Sequence, residues 1–527
     1  MEFKLSEINS LSNTTKAFVT KDKSLIELLG EDNPYYSIEK ALDGKANFDQ
    51  DYRNTLVKCI QSDYSFLSNL EENDLVKSNI LSLLKSNTYT VSTGQQLHLF
   101  LGPAFVIYKI LAVIKLTEEL KLKYPEKNFI PIYWLASEDH DFQEIQDTVL
   151  FGHKFTWQTN QTGACGRFKL DEVKKTIEEI KSQVKLNIQS EQLLSEIEEI
   201  YVKSKTLGEA TIKLAHKVFG PMGLVCLDAD KKELKTQFTN TIEKDILEQV
   251  NFSVFKNASE EIKSKGFHTQ LNSREINFFY LADGIRNRIT FENHRYTVLG
   301  TEITYSREEI LEDIKMHPER FSPNAVLRPL FQESILPNIA YIGGNAEINY
   351  WIQISNLFTV NNISKPCLLL RPSVWIIPNK SMDLLKKLNI SEVDLLISQN
   401  PEKHILSLGA NDINLSQEIN TFNLLKKKIQ DSVNQIDKSE FIKLVELGKS
   451  YEKGLKNAEK SMLEIEKSKV NNSLRKLDDT FHNYFDIKHI QERKLNCLEL
   501  LIKHENVAFM LKNKLNFSHS SGYVTCI

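Results

Sequence analysis

No two of the six cysteines lie at C-x-x-C spacing. Cys59, Cys165, Cys226, Cys367, Cys497 and Cys526 are scattered through 527 residues. That excludes a zinc framework and predicts a reducing, cytoplasmic setting. An excess of one charge is missing too: 66 Lys and Arg against 70 Asp and Glu leave a net charge of −4. So even a balance argues against a broad electrostatic footprint for nucleic acid. The first ten residues, MEFKLSEINS, have no basic segment followed by an apolar stretch, so no secretory signal is expected. The charge-free stretch from Ser86 to Tyr108 is interrupted by Ser, Thr, Asn, Gln, Gly and Pro. Its apolar part is too short to span a bilayer. H-E-x-x-H, G-x-S-x-G and Walker A motifs are absent, and the twelve histidines do not cluster at ligand spacing. What remains is an ordinary folded composition, 41% hydrophobic and 26% charged. At about 150 residues per domain the length predicts two to four domains.

The first 85 or so residues read as mostly helical: Phe66, Leu67 and Leu70, then Val76, Ile80, Leu83 and Leu84, are spaced like buried helix faces. A β-branched and aromatic run, Thr88 to Ser92, then leads through Gly94 into apolar residues at helical spacing from Pro103 to Leu122. A second strand follows at Phe129 to Leu135. Both strands are continuously apolar rather than alternating, which predicts a βαβ unit in a buried parallel sheet. Asp171 to Gly220 reads as helices, and Gly223 to Asp228 as a further strand. Ile276 to Thr297 alternates around Asp283-Gly284, the signal for an antiparallel hairpin. Ala325 to Leu327 and Cys367 to Leu370 are expected core strands.

Beyond about residue 415, Phe441, Leu444, Gly448, Tyr451, Leu455, Ala458, Met462 and Ile465 recur at spacings of three and four, with Lys and Glu between them. This heptad seam continues less regularly through Val470, Leu474, Leu477 and Phe481. The run from Ile487 to Leu511 is expected to fold back on it as an antiparallel coiled-coil arm.

Three segments can carry chemistry. Thr93 to Phe105 joins a strand to a helix at the edge of a parallel sheet, where open α/β folds bind ligands. Gly94 and Gly102 permit close backbone approach, the helix N-terminus offers N–H groups to an anion, and Gln95, Gln96 and His98 can hydrogen-bond a ligand. A purely structural loop fits equally well. Trp134 to Phe142 places Glu138, Asp139, His140 and Asp141 directly after a strand. Carboxylates there suit an amine or a metal, and His140 suits a general base. Asp141 to Glu144 also fits a helix capping box, which accounts for one acid and not for four. In Ser322 to Trp351, Arg328 at a strand end suits a carboxylate or phosphate. Gly343-Gly344 before a helix bearing Glu347 and Tyr350 suits an anion. An ion pair of Arg328 with Glu333 and a plain tight turn are the bland alternatives.

Together these segments resemble the bacillithiol-biosynthesis cysteine-adding enzymes, the cysteine ligases of that pathway. The resemblance lies in Thr93-Gly94-Gln95-Gln96 with Gly102-Pro103, in Trp134 to Phe142, in Ser322 to Pro329 and in Tyr341 to Trp351, with Gly223 to Asp230 in support. It runs end to end. It implies an α/β fold with a Rossmann-like parallel-sheet core resembling class I aminoacyl-tRNA synthetases, helical insertions, and a coiled-coil arm that makes a homodimer. It implies ligation of L-cysteine to the amine of glucosaminyl-malate, the last step to bacillithiol. It also implies an adenine nucleotide, ATP or ADP, with no metal framework and no residues assignable to the nucleotide.

On that basis the core spans 1–413, with inserted segments at about 165–220 and 230–300, the arm spans 414–511 and a tail spans 512–527. The expected roles follow. Arg328 and the helix amides after Gly94 or Gly344 hold the malyl carboxylates. Gln96, Glu138 and Asp139 meet the sugar and its amine, and His140 or Asp141 takes the amine proton. The rival from another class is a non-catalytic nucleotide-binding or scaffold protein with a degenerate synthetase-like core. A metal-dependent hydrolase is disfavoured, because four contiguous residues cannot all point at one ion.

Overall fold

The computed structural model describes residues 1–526 apart from 8–9, 67–73, 185–186, 388–389, 398–414, 435–437, 486–489 and 505. Contacts divide the chain into two units, 1–374 with 492–523, and 375–491 with 524–527. These divisions stand in place of boundaries at 413 and 511. The physical reason is pairing at the C-terminal end. Ser521, Gly522 and Tyr523 form an antiparallel ladder with Lys4, Phe3 and Glu2, so the segment after the arm returns to the first unit.

The first unit is built on five parallel strands: β1 (Thr88–Gln95), β2 (Asn128–Leu135), β3 (Val225–Asp228), β4 (Asn338–Gly343) and β5 (Cys367–Leu370). Their order across the sheet is β5-β4-β1-β2-β3. The expected βαβ unit is present: β1 and β2 run in register from Thr88 beside Asn128 to Gln95 beside Leu135, joined through helix α1 (Phe105–Lys123). Val106, Ile107, Ile110, Leu111 and Val113 of α1 are fully buried, as an apolar helix between covered strands must be. Chain order reverses between β1 and β4. A doubly wound sheet opens a crevice at the carboxyl ends of such a pair, so the ends of β1 and β4, Gln95 and Gly343, mark where a ligand belongs.

The inserted hairpin forms as expected, with Phe278–Ala282 paired to Ile285–Glu292 around Asp283-Gly284, where Gly284 takes φ +69°. The helices expected between 171 and 220 are Val173–Gln183, Ile188–Lys203 and Leu207–Phe219. Ala325 to Leu327 is not a strand. The strand lies earlier, at Phe321–Pro323, paired with Phe278 to Tyr280. The Asn324 side chain then accepts from the Val326 N–H at 2.9 Å, and helix α2 (Arg328–Ile335) starts with Pro329 in its first turn. A short polar side chain that closes its own turn, followed by a proline suited to a helix start, overrides the apolar run. Arg328 therefore opens a helix rather than ending a strand. After β4 comes helix α3 (Asn345–Gln353).

The second unit contains an antiparallel helical hairpin, α4 (Ser416–Asn434) and α5 (Lys438–Thr480). Phe422 stacks on Tyr451 with centroids 4.6 Å apart, and Gly448 is buried against the Lys426 side chain. The partner of the heptad seam is thus the preceding helix. The expected return run is instead short helices, including Cys497–Lys503 and Val507–Lys514, in the first unit. Leu67, Leu70 and Ile487 lie outside the described residues, as do the side chains of Leu444, Val470, Leu474 and Leu477. Among the described residues no helix is long and apolar enough to cross a membrane.

Candidate active site at the carboxyl edge of the sheet

Beyond the ends of β1 and β4, a carboxylate of the chain takes the donors at the start of α3. The Glu347 carboxylate reaches back to accept from the Gly344 N–H at 2.7 Å, from the Tyr341 hydroxyl and from Lys109 Nζ at 2.7 Å. Lys109 is 1% exposed and also donates to the Gly94 carbonyl at 2.5 Å. Burial pushes the Glu347 carboxyl up, yet Lys109, Tyr341 and the Gly344 amide together hold it below the usual carboxylate range. Burial likewise pushes the Lys109 ammonium down against the pull of Glu347. Gly343 is tightly enclosed: a Cβ would sit 3.0 Å from Glu347 Cβ and 3.1 Å from the Tyr341 ring.

Arg328 is the cation left over. Its guanidinium lies 5.8 Å from the Trp134 ring centroid and 5.9 Å from that of Tyr341. It donates to Gln332 Oε1 at 2.9 Å and to the Tyr350 hydroxyl at 3.3 Å. Among the described residues no carboxylate forms an ion pair with it. Glu333, the alternative partner, faces Lys45 at 3.8 Å instead. An arginine near two aromatic rings and without an ion-pair partner among the described residues suits an incoming carboxylate or phosphate.

The loop from Gln96 to Ala104 divides by role. Gln96 Nε2 donates to Asp139 at 2.8 Å and to Glu144 at 2.7 Å, which brings it to the acidic segment. Gln95, part-buried, closes β1 by accepting from the Ala136 N–H at 3.1 Å. His98 and Gly102 shape the turn. Gly102 has φ +78°, and a Cβ there would meet His98 Cβ at 2.7 Å. Burial pushes the His98 imidazole down to about 4, so it is neutral near pH 7. The Ala104 N–H donates to the Leu495 carbonyl at 2.7 Å, so the chain itself occupies the start of α1.

The acidic segment follows β2, and its four side chains do not share one partner, although Asp139 Oδ1 lies 4.0 Å from His140 Nδ1. Glu138 pairs with Lys235, which also faces Asp230 at 3.5 Å, while Arg167 grips Asp230 at 2.7 and 2.9 Å. Burial raises the Glu138 carboxyl despite Lys235. Asp139 accepts from Gln96 and from the Asp141 N–H at 3.2 Å, and its carbonyl accepts from the Cys165 N–H at 2.7 Å. Gly166 pins the same loop: its N–H donates to the Ser137 carbonyl at 2.7 Å, and a Cβ there would lie 2.4 Å from Ser137 Cβ. His140 meets Arg286. Asp141 is exposed and caps nothing: the helix after it has four residues, and its carboxylate takes no capping bond. The capping box expected from Asp141 to Glu144 is therefore not formed.

Lys109, Lys235 and Arg286 lie outside the three segments that the sequence marks for chemistry. Lys109 had a signal, a single charge inside the apolar run Val106 to Ile114. Arg286 and Lys235 had none, because only the fold brings them to the segment after β2.

Residues 1–372 match the family profile described as bacillithiol biosynthesis BshC, N-terminal Rossmann-like domain, and residues 374–524 match that of its C-terminal coiled-coil domain. The chain belongs to the bacillithiol biosynthesis BshC family. It is 36% identical over 490 residues to the BshC protein of Flavobacterium johnsoniae, covering 91% of this chain and 90% of the relative. It is 38% identical over 458 residues to that of Flavobacterium psychrophilum, covering 86% and 85%. A more distant relative from Staphylococcus haemolyticus is 29% identical over 332 residues. The two BshC profiles meet at residues 372 and 374, where contacts also divide the chain.

Proposed function

We propose that this BshC chain ligates L-cysteine to the amine of glucosaminyl-malate, the last step of bacillithiol biosynthesis. The relatives carry the name cysteine ligase BshC. The observation that carries the reading is Arg328, an unpaired cation between Trp134 and Tyr341 at the switch point of the sheet. It suits a malyl carboxylate. Gln96 and Asp139, joined at 2.8 Å, present an amide and a carboxylate to the sugar amine. Asp141, exposed and uncommitted, suits the proton that leaves as the amine attacks.

The amine nitrogen forms a bond to the carboxyl carbon of cysteine, a carboxyl oxygen would leave with the bonding pair on the phosphate or nucleoside monophosphate of the activating nucleotide, and the amine proton passes to a carboxylate. Oxide does not leave unaided, so the carboxyl must first be activated. An adenine nucleoside triphosphate is the proposed co-reactant. The N-termini of α1 and α3 do not fit its phosphates, since Leu495 and Glu347 already occupy them. The reaction is proposed for the cytoplasm, and the arm is proposed to join two copies of the chain.

The test is a thiol profile by mass spectrometry of cells with and without the protein. Loss of bacillithiol with accumulation of glucosaminyl-malate is expected, and restoration by the wild-type chain but not by Arg328→Gln. An unchanged thiol pool overturns the reading and favours a non-catalytic scaffold.

A further inference from the structure

Arg286 lies on the inserted hairpin, in the strand Ile285–Glu292, and is almost wholly buried. Its Nε donates to Ser322 Oγ at 3.0 Å and its Nη2 to the Pro323 carbonyl at 3.2 Å. The guanidinium lies 4.2 Å from the centroid of Phe279, a ring that also lies against His140 at 5.3 Å. Its remaining Nη1 sits 2.6 Å from His140 Nδ1. Asp139 Oδ1 also faces Nδ1, but at 4.0 Å, beyond hydrogen-bond reach; a guanidinium only donates, so in the short contact Nδ1 accepts. A neutral imidazole has one N–H and one accepting nitrogen. With Nδ1 accepting, the proton sits on Nε2. An imidazolium would set two donors against each other. Nε2 has no partner among the described residues, and the His140 side chain is 43% exposed.

The charged groups around this ring are Arg286, Asp139 and Asp141, with the Cys165 thiol nearby. Burial and Arg286 push the His140 imidazole below its ordinary range, against the two aspartates.

We propose that Arg286 is a positioning residue that fixes His140 as a neutral Nε2–H imidazole, so that His140 gives a hydrogen bond to a substrate oxygen and leaves proton acceptance to Asp141. This rests on the ligation reading. The oxygen is the one on the cysteine carboxyl carbon that gains negative charge as the amine attacks. The amine proton goes to Asp141, and His140 keeps its own.

The first test is nitrogen NMR of the full chain with labelled histidine, His140 being assigned by loss of its signals in His140→Gln. Nδ1 unprotonated and Nε2 protonated at pH 7 is expected. A protonated Nδ1 overturns the proposal. Ser322→Ala loosens Arg286 without removing a buried charge, and should move the His140 pKa up toward the ordinary value of about 6.5. An unmoved value overturns the positioning role. Glutamine places an N–H near the position of Nε2 but is no base. His140→Gln should therefore lose less than about tenfold in bacillithiol formation, where Asp141→Asn loses about a hundredfold or more, the scale of a lost general base. Equal losses overturn the donor role. If wild-type protein makes no bacillithiol, the ligation reading fails while the ring tautomer remains readable.

Discussion

Lys109 and Glu347, 238 residues apart in sequence, meet at 2.7 Å between the ends of β1 and β4. Lys109 is 1% exposed on its side chain and Glu347 22%. Their pairing ties α1 to α3 across the crevice and fills the first turn of α3, which would otherwise attract an anion.

Breaking this pair should cost more than removing it. Lys109→Met leaves a carboxylate with one donor fewer, and Glu347→Gln leaves a buried ammonium unmatched. Each should lower stability by about 3–5 kcal/mol, and the double variant by much less than the sum. Denaturant unfolding of the four proteins measures this. Additive losses would mean that the two residues are not coupled.

Arg328→Lys should fold normally and bind glucosaminyl-malate at least about tenfold more weakly. Lysine keeps the charge but neither the fork geometry nor the stacking on Trp134 and Tyr341. Calorimetric titration with malate-bearing and malate-free acceptors separates the effect on carboxylate binding. Equal weakening for both acceptors would place the malyl group elsewhere.

The His98 imidazole, held down to about 4 by burial, should make the fold acid-sensitive. Between about pH 6.5 and 4 the unfolded chain binds a proton at His98 that the folded chain refuses, so stability falls as pH falls through this window. The full effect of a shift of that size is on the order of 3–4 kcal/mol. His98→Gln should flatten stability against pH in that window. An unchanged slope would assign the acid sensitivity to other groups.

The arm leaves Leu447 67%, Tyr451 57%, Met462 46% and Ile465 54% exposed on α5. That apolar surface is proposed to meet a second copy of the arm. Leu447→Glu with Met462→Glu should give a folded monomer, with helix content unchanged by circular dichroism. Light scattering that shows a dimer for the folded double variant would refute this.

Much of the frame is legible in the sequence. A β-branched and aromatic run reads as β1 and a continuous apolar run as β2, the helical period reads as α1, and Asp283-Gly284 reads as a hairpin turn, because each depends on neighbours a few residues away. Ala325 to Leu327 misled for the same reason: three apolar residues do not reveal that the Asn324 side chain closes a turn ahead of Pro329. The heptad seam of α5 meets α4 at Gly448 and Tyr451, a partner its period does not name, since α4 and the run after Ile487 are both amphipathic candidates.

The sequence by itself determined which residue types stand at the strand ends: Gly94 and Gln96, Glu138 to Asp141, and Gly343-Gly344. Only the tertiary structure decided which of them are free. Strand order places Lys109 beside Glu347, Lys235 beside Glu138 and Arg286 beside His140, and it leaves Arg328 and Asp141 without an ionic partner among the described residues. A helix or turn is set by local backbone and side-chain geometry. The partner of a charge is set by chain segments that may be any distance away in sequence, and those partners decide whether a carboxylate, an imidazole or a guanidinium is spent on the fold or left for a ligand.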